Sequence, residues 1–106
     1  MKRFGDVIRV PKEKYLEYVE KHDNIWPSIV EKMKEAHIEN FTIFHRDGYL
    51  FKYFEYTGND YDADMKKLAE DEEHRYWLEY TAVCQQPIDT AKDDEWWAAM
   101  EEIFHI

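Results

Sequence analysis

Residues 40–57, NFTIFHRDGYLFKYFEYT, restrict the fold of this chain more than any other stretch. Two runs of β-branched and aromatic residues flank Asp47-Gly48. That dipeptide between such runs predicts a two-residue turn joining antiparallel strands. Phe41, Ile43 and His45 share one face of the first strand. Tyr49, Phe51, Tyr53 and Glu55 share one face of the second, and Leu50, Phe54 and Tyr56 the other. Apolar side chains on both faces call for a sheet covered on both sides.

The flanking segments fit around this hairpin. Residues 3–10 read as a strand that ends at Pro11. Residues 12–22 have helical period, with Tyr15, Tyr18, Val19 and His22 on one face. Asp23 or Asn24 is expected to cap a second helix, with Pro27 in its first turn. After the hairpin, Asn59 or Asp60 caps a further helical region with its seam at Met65, Leu68 and Ala69. Tyr76, Trp77, Tyr80 and Cys84 resume the spacing, and Pro87 ends it. DTAKDDE reads as a solvated loop and MEEIFHI as the last strand. The order is βαββαβ, the ferredoxin-like α+β pattern, with helices on one face of the sheet. The other face is not polar, and a second copy of the chain is its economical cover. The expectation is a single domain over residues 1–106 that forms a homodimer.

Composition removes several functions. The formal charge of −10 disfavours nucleic acid and anionic membrane surfaces, which need clustered Lys and Arg. One cysteine, Cys84, forms no internal disulfide, and no Cys/His zinc pattern is present. His37, His45, His74 and His105 lack ligand spacing, so no metal is expected, and His74 after EDEE reads as solvated. No apolar run is long enough to span a bilayer, and a cytoplasmic location is expected.

YVEKHDNIWP, residues 18–27, is the stretch most suggestive of a site. Tyr18, His22 and Trp26 follow one another at one-turn spacing, where a core seam would use Leu, Ile or Val. Each carries a polar atom that needs a partner if buried. A histidine titrates near neutrality and a phenol donates or accepts, so the pair suits acid–base work. The same face could instead simply pack on the sheet. Tyr76 and Trp77 form a second aromatic pair, of the kind that binds the C–H faces of sugars. Helix packing would explain them equally. Trp96-Trp97 fits either a pocket or a subunit interface.

Taken together, Tyr18-x-x-x-His22-x-x-Ile25-Trp26-Pro27, the hairpin, RYWxxY and EEIFHI resemble the L-rhamnose mutarotase family over essentially the whole chain. The resemblance implies a small dimeric α+β barrel acting on a free monosaccharide. It implies that His22 is the proton donor and that Tyr18 binds sugar. Phe41 stands where the family has a sugar-binding tyrosine, and Tyr76-Trp77 where it commonly has Trp-Trp. Trp26 would wall the pocket. L-rhamnose is the implied substrate, with L-fucose or another aldose as the alternative that these two departures raise. Mutarotation opens the ring by protonating its oxygen and deprotonating the anomeric hydroxyl. His22 serves as the acid, and Tyr18, another hydroxyl or water as the base. No cofactor is required, which suits a chain with no Gly-rich loop. A cofactor-free oxygenase of the same fold and a non-catalytic sugar-binding module are the readings of other classes.

Overall fold

The Asp47-Gly48 turn forms as its residues dictate. Asp47 has φ 52° and Gly48 φ 83°, the two positive angles that a type I′ turn requires. The computed structural model describes all of residues 1–106. Its strands are β1 (Lys2–Arg9), β2 (Ile38–Arg46), β3 (Tyr49–Tyr56) and β4 (Ala98–Met100). Its helices are α1 (Tyr15–Asp23), α2 (Pro27–Glu35), α3 (Tyr61–Glu70) and α4 (Glu72–Ala82). The strands form one antiparallel sheet in the order β2-β3-β1-β4, the ferredoxin-like arrangement. Each helical crossover is broken into two helices. No helix is long and apolar enough to cross a membrane.

Both breaks have local causes. Trp26 is extended (φ −67°, ψ 128°), as expected of a residue whose backbone is crowded by the following Pro27. Pro27 then opens α2, where its missing N–H costs nothing. Neither Asp23 nor Asn24 caps α2, contrary to the sequence expectation. Asp23 ends α1, and Asn24 turns back to donate from Nδ2 to the Glu20 carbonyl at 2.9 Å. In the other arm Asp60 caps α3 through the Ala63 N–H (3.1 Å). Asp71 caps α4 through the His74 N–H (2.9 Å). Asp71 also pairs with Lys32 of α2 at 2.7 Å, joining the two arms.

The last strand is shorter and earlier than MEEIFHI suggests. Only Ala98–Met100 pair with β1, Met100 opposite Gly5. Continuing that register would place Ile103 opposite Lys2 and Phe104 opposite Met1, so the chain outruns its partner strand. Glu102 is held beside β1 by its ion pair with Arg3 (2.7 Å), and Ile103, Phe104 and Ile106 are left exposed.

The helices cover one sheet face over two separate core clusters. One gathers Ile8, Val10, Tyr18, Leu50 and Cys84, and the other Ala36, Ile38, Phe54 and Leu68. On the opposite face Phe44 and Phe51 lie paired in adjacent strands, with Val7 opposite Phe51 on the far side. Phe44 is 64% exposed, and Tyr49, Phe51 and Met100 are exposed as well.

Candidate active site

Between helices and sheet lies a cavity of about 380 Å³, bordered by residues of both core clusters. That size suits a small organic ligand. Tyr18, His22, Phe41 and Trp77 all line it. A groove between α1 and β2 adjoins it and shares Tyr18, His22 and Phe41 with it.

His22 stands on the last turn of α1. Its Nδ1 lies 2.9 Å from the carbonyl oxygen of Tyr18, one turn earlier. In the neutral ring Nδ1–H donates to that carbonyl, which leaves the Nε2 lone pair for a ligand. Burial pushes the His22 pKa below its ordinary value, only partly offset by that hydrogen bond. The ring packs on Tyr18 with centroids 4.3 Å apart and meets the edge of Trp77 at 5.5 Å.

Tyr18 is buried, and desolvation pushes its pKa up to about 12. At neutral pH it is a phenol, not a phenolate. Its oxygen accepts a hydrogen bond from Gln85 Nε2 (3.2 Å), and Gln85 Oε1 in turn accepts from Trp96 Nε1 (2.7 Å). The phenolic hydrogen is thereby free to be donated elsewhere.

Phe41 faces the cavity in step with Ile43, and a β-bulge brings Ile38 round to join them. The pairing of β2 with β3 slips between Glu39 and Thr42, where Asn40 adopts φ 52° and donates to Glu55 at 2.7 Å. Simple alternation would put Ile38 and Phe41 on opposite faces, yet both line the cavity together with Ile43. Phe41 stacks on Phe54 at 6.1 Å.

The remaining two residues singled out from sequence stand beside the cavity rather than on it. Trp26 packs against Trp77 (5.1 Å), Tyr80 (5.5 Å) and Tyr76 (5.7 Å), behind the cavity wall. Tyr76 is exposed and borders a shallow surface hollow with Lys32, Asp71, Glu72 and Glu73. Adjacent helical positions diverge by about 100°, so Trp77 turns in while Tyr76 stays out.

Sequence reasoning missed Asp6, Lys52, His74 and Gln85 among the lining residues, while Trp96 and Trp97, left open between pocket and interface, line the cavity as well. His74, expected on a solvated face, is partly buried in the cavity wall, and its Nδ1 is buried with no partner. The kink at Asp71 turns α4 so that a residue following four acidic ones still faces inward. Trp96 and Trp97 are brought over the cavity by the chain entering β4. No three His, Cys, Asp or Glu side chains converge closely enough to hold a metal ion.

The family model for L-rhamnose mutarotase matches residues 3–106. The chain belongs to the L-rhamnose mutarotase family. An L-rhamnose mutarotase of Bacillus subtilis is 32% identical, over 94% of this chain and 77% of that protein. One from Lactiplantibacillus plantarum is 28% identical over 100% of this chain and 99% of its own. Among solved structures, an L-rhamnose mutarotase from Formosa agariphila superposes with a TM-score of 0.77 at 20% identity. It covers 100% of this chain and 99% of its own. A tetracenomycin F2 cyclase from Streptomyces glaucescens has the same fold at TM-score 0.65 and 14% identity, over 100% and 97% of the two chains. Family membership makes the chain an isomerase of the mutarotase class.

Proposed function

We propose that this chain interconverts the α and β anomers of L-rhamnose, with His22 carrying the proton between the two oxygens attached to the anomeric carbon. The observation behind this reading is the tethering of His22 Nδ1 to the Tyr18 carbonyl at 2.9 Å in the wall of a ligand-sized cavity. Nε2 is then the ring atom able to exchange a proton with substrate. The depressed pKa keeps the resting ring neutral, so the Nε2 lone pair is available to accept a proton. Nε2 takes the proton of the anomeric hydroxyl, the C1–O5 bond breaks, and a carbonyl forms at C1. The imidazolium so formed protonates O5. Rotation about C1–C2 and the reverse steps give the other anomer. This makes the proton that His22 donates to the ring oxygen the one it has just accepted, so no second base is needed. The Tyr18 phenol, with its pKa near 12, donates a hydrogen bond to a sugar oxygen instead of acting as base. Phe41 and Trp77 provide apolar walls for the C–H faces of the ring, and Trp26 holds Trp77 in place.

The test is saturation-transfer NMR of anomeric exchange on a panel of free aldoses. L-rhamnose should exchange faster than L-fucose and D-glucose when protein is present. Exchange no faster than in buffer for every sugar, with saturable binding of one anomer, would make the protein a binding module.

We also propose that two copies pair through the outer sheet face. Phe44, Phe51, Tyr49 and Met100 form an exposed apolar surface there, beside the exposed Ile103 and Phe104 that outrun β1. Only 14 of the 106 residues are buried in the lone chain, so a partner would add substantially to the core. A reducing, cytoplasmic setting suits the free Cys84.

A further inference from the structure

Asp6 on β1 and Lys52 on β3 are direct cross-strand partners on the helix-facing side of the sheet. Lys52 Nζ lies 3.3 Å from Asp6 Oδ2, and the two side chains are 16% and 17% exposed. The ammonium is walled by aromatic rings, 4.5 Å from the Trp97 centroid, 5.7 Å from Phe54 and 6.0 Å from Phe41. All of these residues line the same cavity as His22.

Packing does not account for an ion pair in this place. A buried pair is commonly no more stabilising than apolar residues of the same volume. The neighbours on that face of β3, Leu50 and Phe54, are apolar and buried. Nor are the two groups saturated. An ionised carboxylate has about four acceptor sites and an ammonium three donors, and each group here has only the other as partner. His74 lines the same cavity, and its Nδ1 is buried with no partner; burial chiefly, and to a lesser degree the charges of Lys32 and Lys52, oppose protonation of the ring. Unused donors and acceptors therefore gather at one part of a cavity whose other walls are mostly apolar.

We propose that Asp6 and Lys52 form the hydroxyl-reading floor of the sugar pocket, Asp6 accepting from one ring hydroxyl and Lys52 donating to its neighbour. This rests on the sugar-mutarotase reading of the same cavity and adds which part of the sugar is recognised. Two adjacent hydroxyl oxygens of a pyranose are spaced much as Nζ and Oδ2 are, so a vicinal diol can bridge the pair. Trp97 and Phe41 flank it and would limit the ring to one orientation. In that orientation the anomeric carbon is presented to His22 and the remote hydroxyls to the floor.

The experiment compares wild type with the Asp6→Leu/Lys52→Met double variant on L-rhamnose and its 2-deoxy, 3-deoxy and 4-deoxy analogues. Both kcat/KM for anomeric exchange and dissociation constants from NMR titration are measured. Wild type should lose about 10- to 100-fold on deleting either of two adjacent hydroxyls, the range for hydrogen bonds to charged groups. The double variant should lose a similar factor on L-rhamnose, mainly in KM, and be indifferent to those two deletions. Equal deoxy penalties in both proteins would overturn the proposal and make the pair structural. The titrations read those penalties whether or not exchange is accelerated, so loss of the mutarotase reading is seen separately, as wild-type exchange no faster than in buffer. Absence of any saturable sugar binding by wild type overturns the floor outright. If the double variant does not fold, the isosteric Asp6→Asn serves, and it should weaken the penalty at one position only.

Discussion

Replacing His22 by alanine separates its chemical role from its structural one, because the two have different magnitudes. The folded chain loses one hydrogen bond to the Tyr18 carbonyl and two ring contacts, with Tyr18 at 4.3 Å and with the edge of Trp77 at 5.5 Å. These are worth roughly 1 kcal/mol each, so a stability loss of about 1–3 kcal/mol is expected. A positioned proton-transfer group contributes roughly 10²–10⁴-fold to rate, or about 2.7–5.4 kcal/mol of barrier. His22→Ala should therefore remain folded while protein-dependent anomeric exchange of L-rhamnose falls at least about 100-fold. The pH profile gives an independent reading. The folded pKa of His22 lies below its ordinary value of about 6.5, and the neutral ring is the working form. Wild-type exchange should be constant near neutrality and fall as pH drops through that depressed pKa. In His22→Gln the residual rate should lack this acid limb. Saturation-transfer NMR, corrected for the buffer-catalysed rate at each pH, measures both. A folded His22→Ala protein with near-wild-type exchange, or a wild-type rate that rises on acidification, would refute the assignment.

Three further outcomes follow from the same geometry. Tyr18→Phe removes the hydroxyl that accepts from Gln85 and donates to the ligand, and should lower kcat/KM for L-rhamnose about tenfold, given roughly 1–1.5 kcal/mol per hydrogen bond. A drop below twofold in steady-state exchange would remove the phenol from the site. His22 and His74 both have pKa values lowered chiefly by burial, so their contribution to stability is complete above about 6.5 and is lost as pH falls through the folded values. Carboxylates such as Glu17, hydrogen-bonded by Lys21 and held down to about 2, respond only at lower pH. The melting temperature should thus fall between pH 7 and 5.5, and fall less in a His22→Gln/His74→Gln variant. Finally, light scattering should give about twice the 13.0 kDa chain mass for wild type, and Phe51→Glu on the outer face should give the monomer mass. A monomeric wild type at micromolar concentration contradicts the pairing.

The parts of the fold that were legible from sequence are those with local causes. Asp47-Gly48 could hardly be anything but a hairpin turn, and the helical spacing of Tyr15, Tyr18 and His22 survives into α1. Pro27 located the break between α1 and α2, although the capping chemistry was misjudged. An aspartate and an asparagine before a helix look like caps, and here one ends the preceding helix while Trp26 intervenes. The terminal strand was misplaced because MEEIFHI has good strand composition but nothing opposite it once β1 has run out. Composition reports what a segment favours. Whether a partner strand extends that far is decided elsewhere in the chain.

The site divides along the same line. Tyr18, His22 and Trp77 were visible because a helix writes its face into sequence at fixed spacing. Phe41 was placed on the correct side of β2, but its sharing that side with Ile38 depends on the bulge at Asn40, which no alternation pattern reveals. The Asp6–Lys52 pair was the least visible part of the cavity, although half of its signal was present. Asp6 stands between Phe4 and Ile8, and Lys52 between Leu50 and Phe54, each a charge at an inward position of an apolar strand. Either one alone could belong to an edge or to a twisted strand end. Their meaning comes from the pairing of Asp6 with Lys52. The Asp47-Gly48 turn sets the register of β2 on β3, but no turn sets that of β1 on β3. That register is fixed by packing between strands that residues 10–48 separate, around Ile8, Leu50 and Phe54. A slip of one residue in β1 would turn Asp6 to the outer face and leave Lys52 in the cavity without its carboxylate. The long-range register of β1 on β3 is therefore what places a paired carboxylate and ammonium in this cavity.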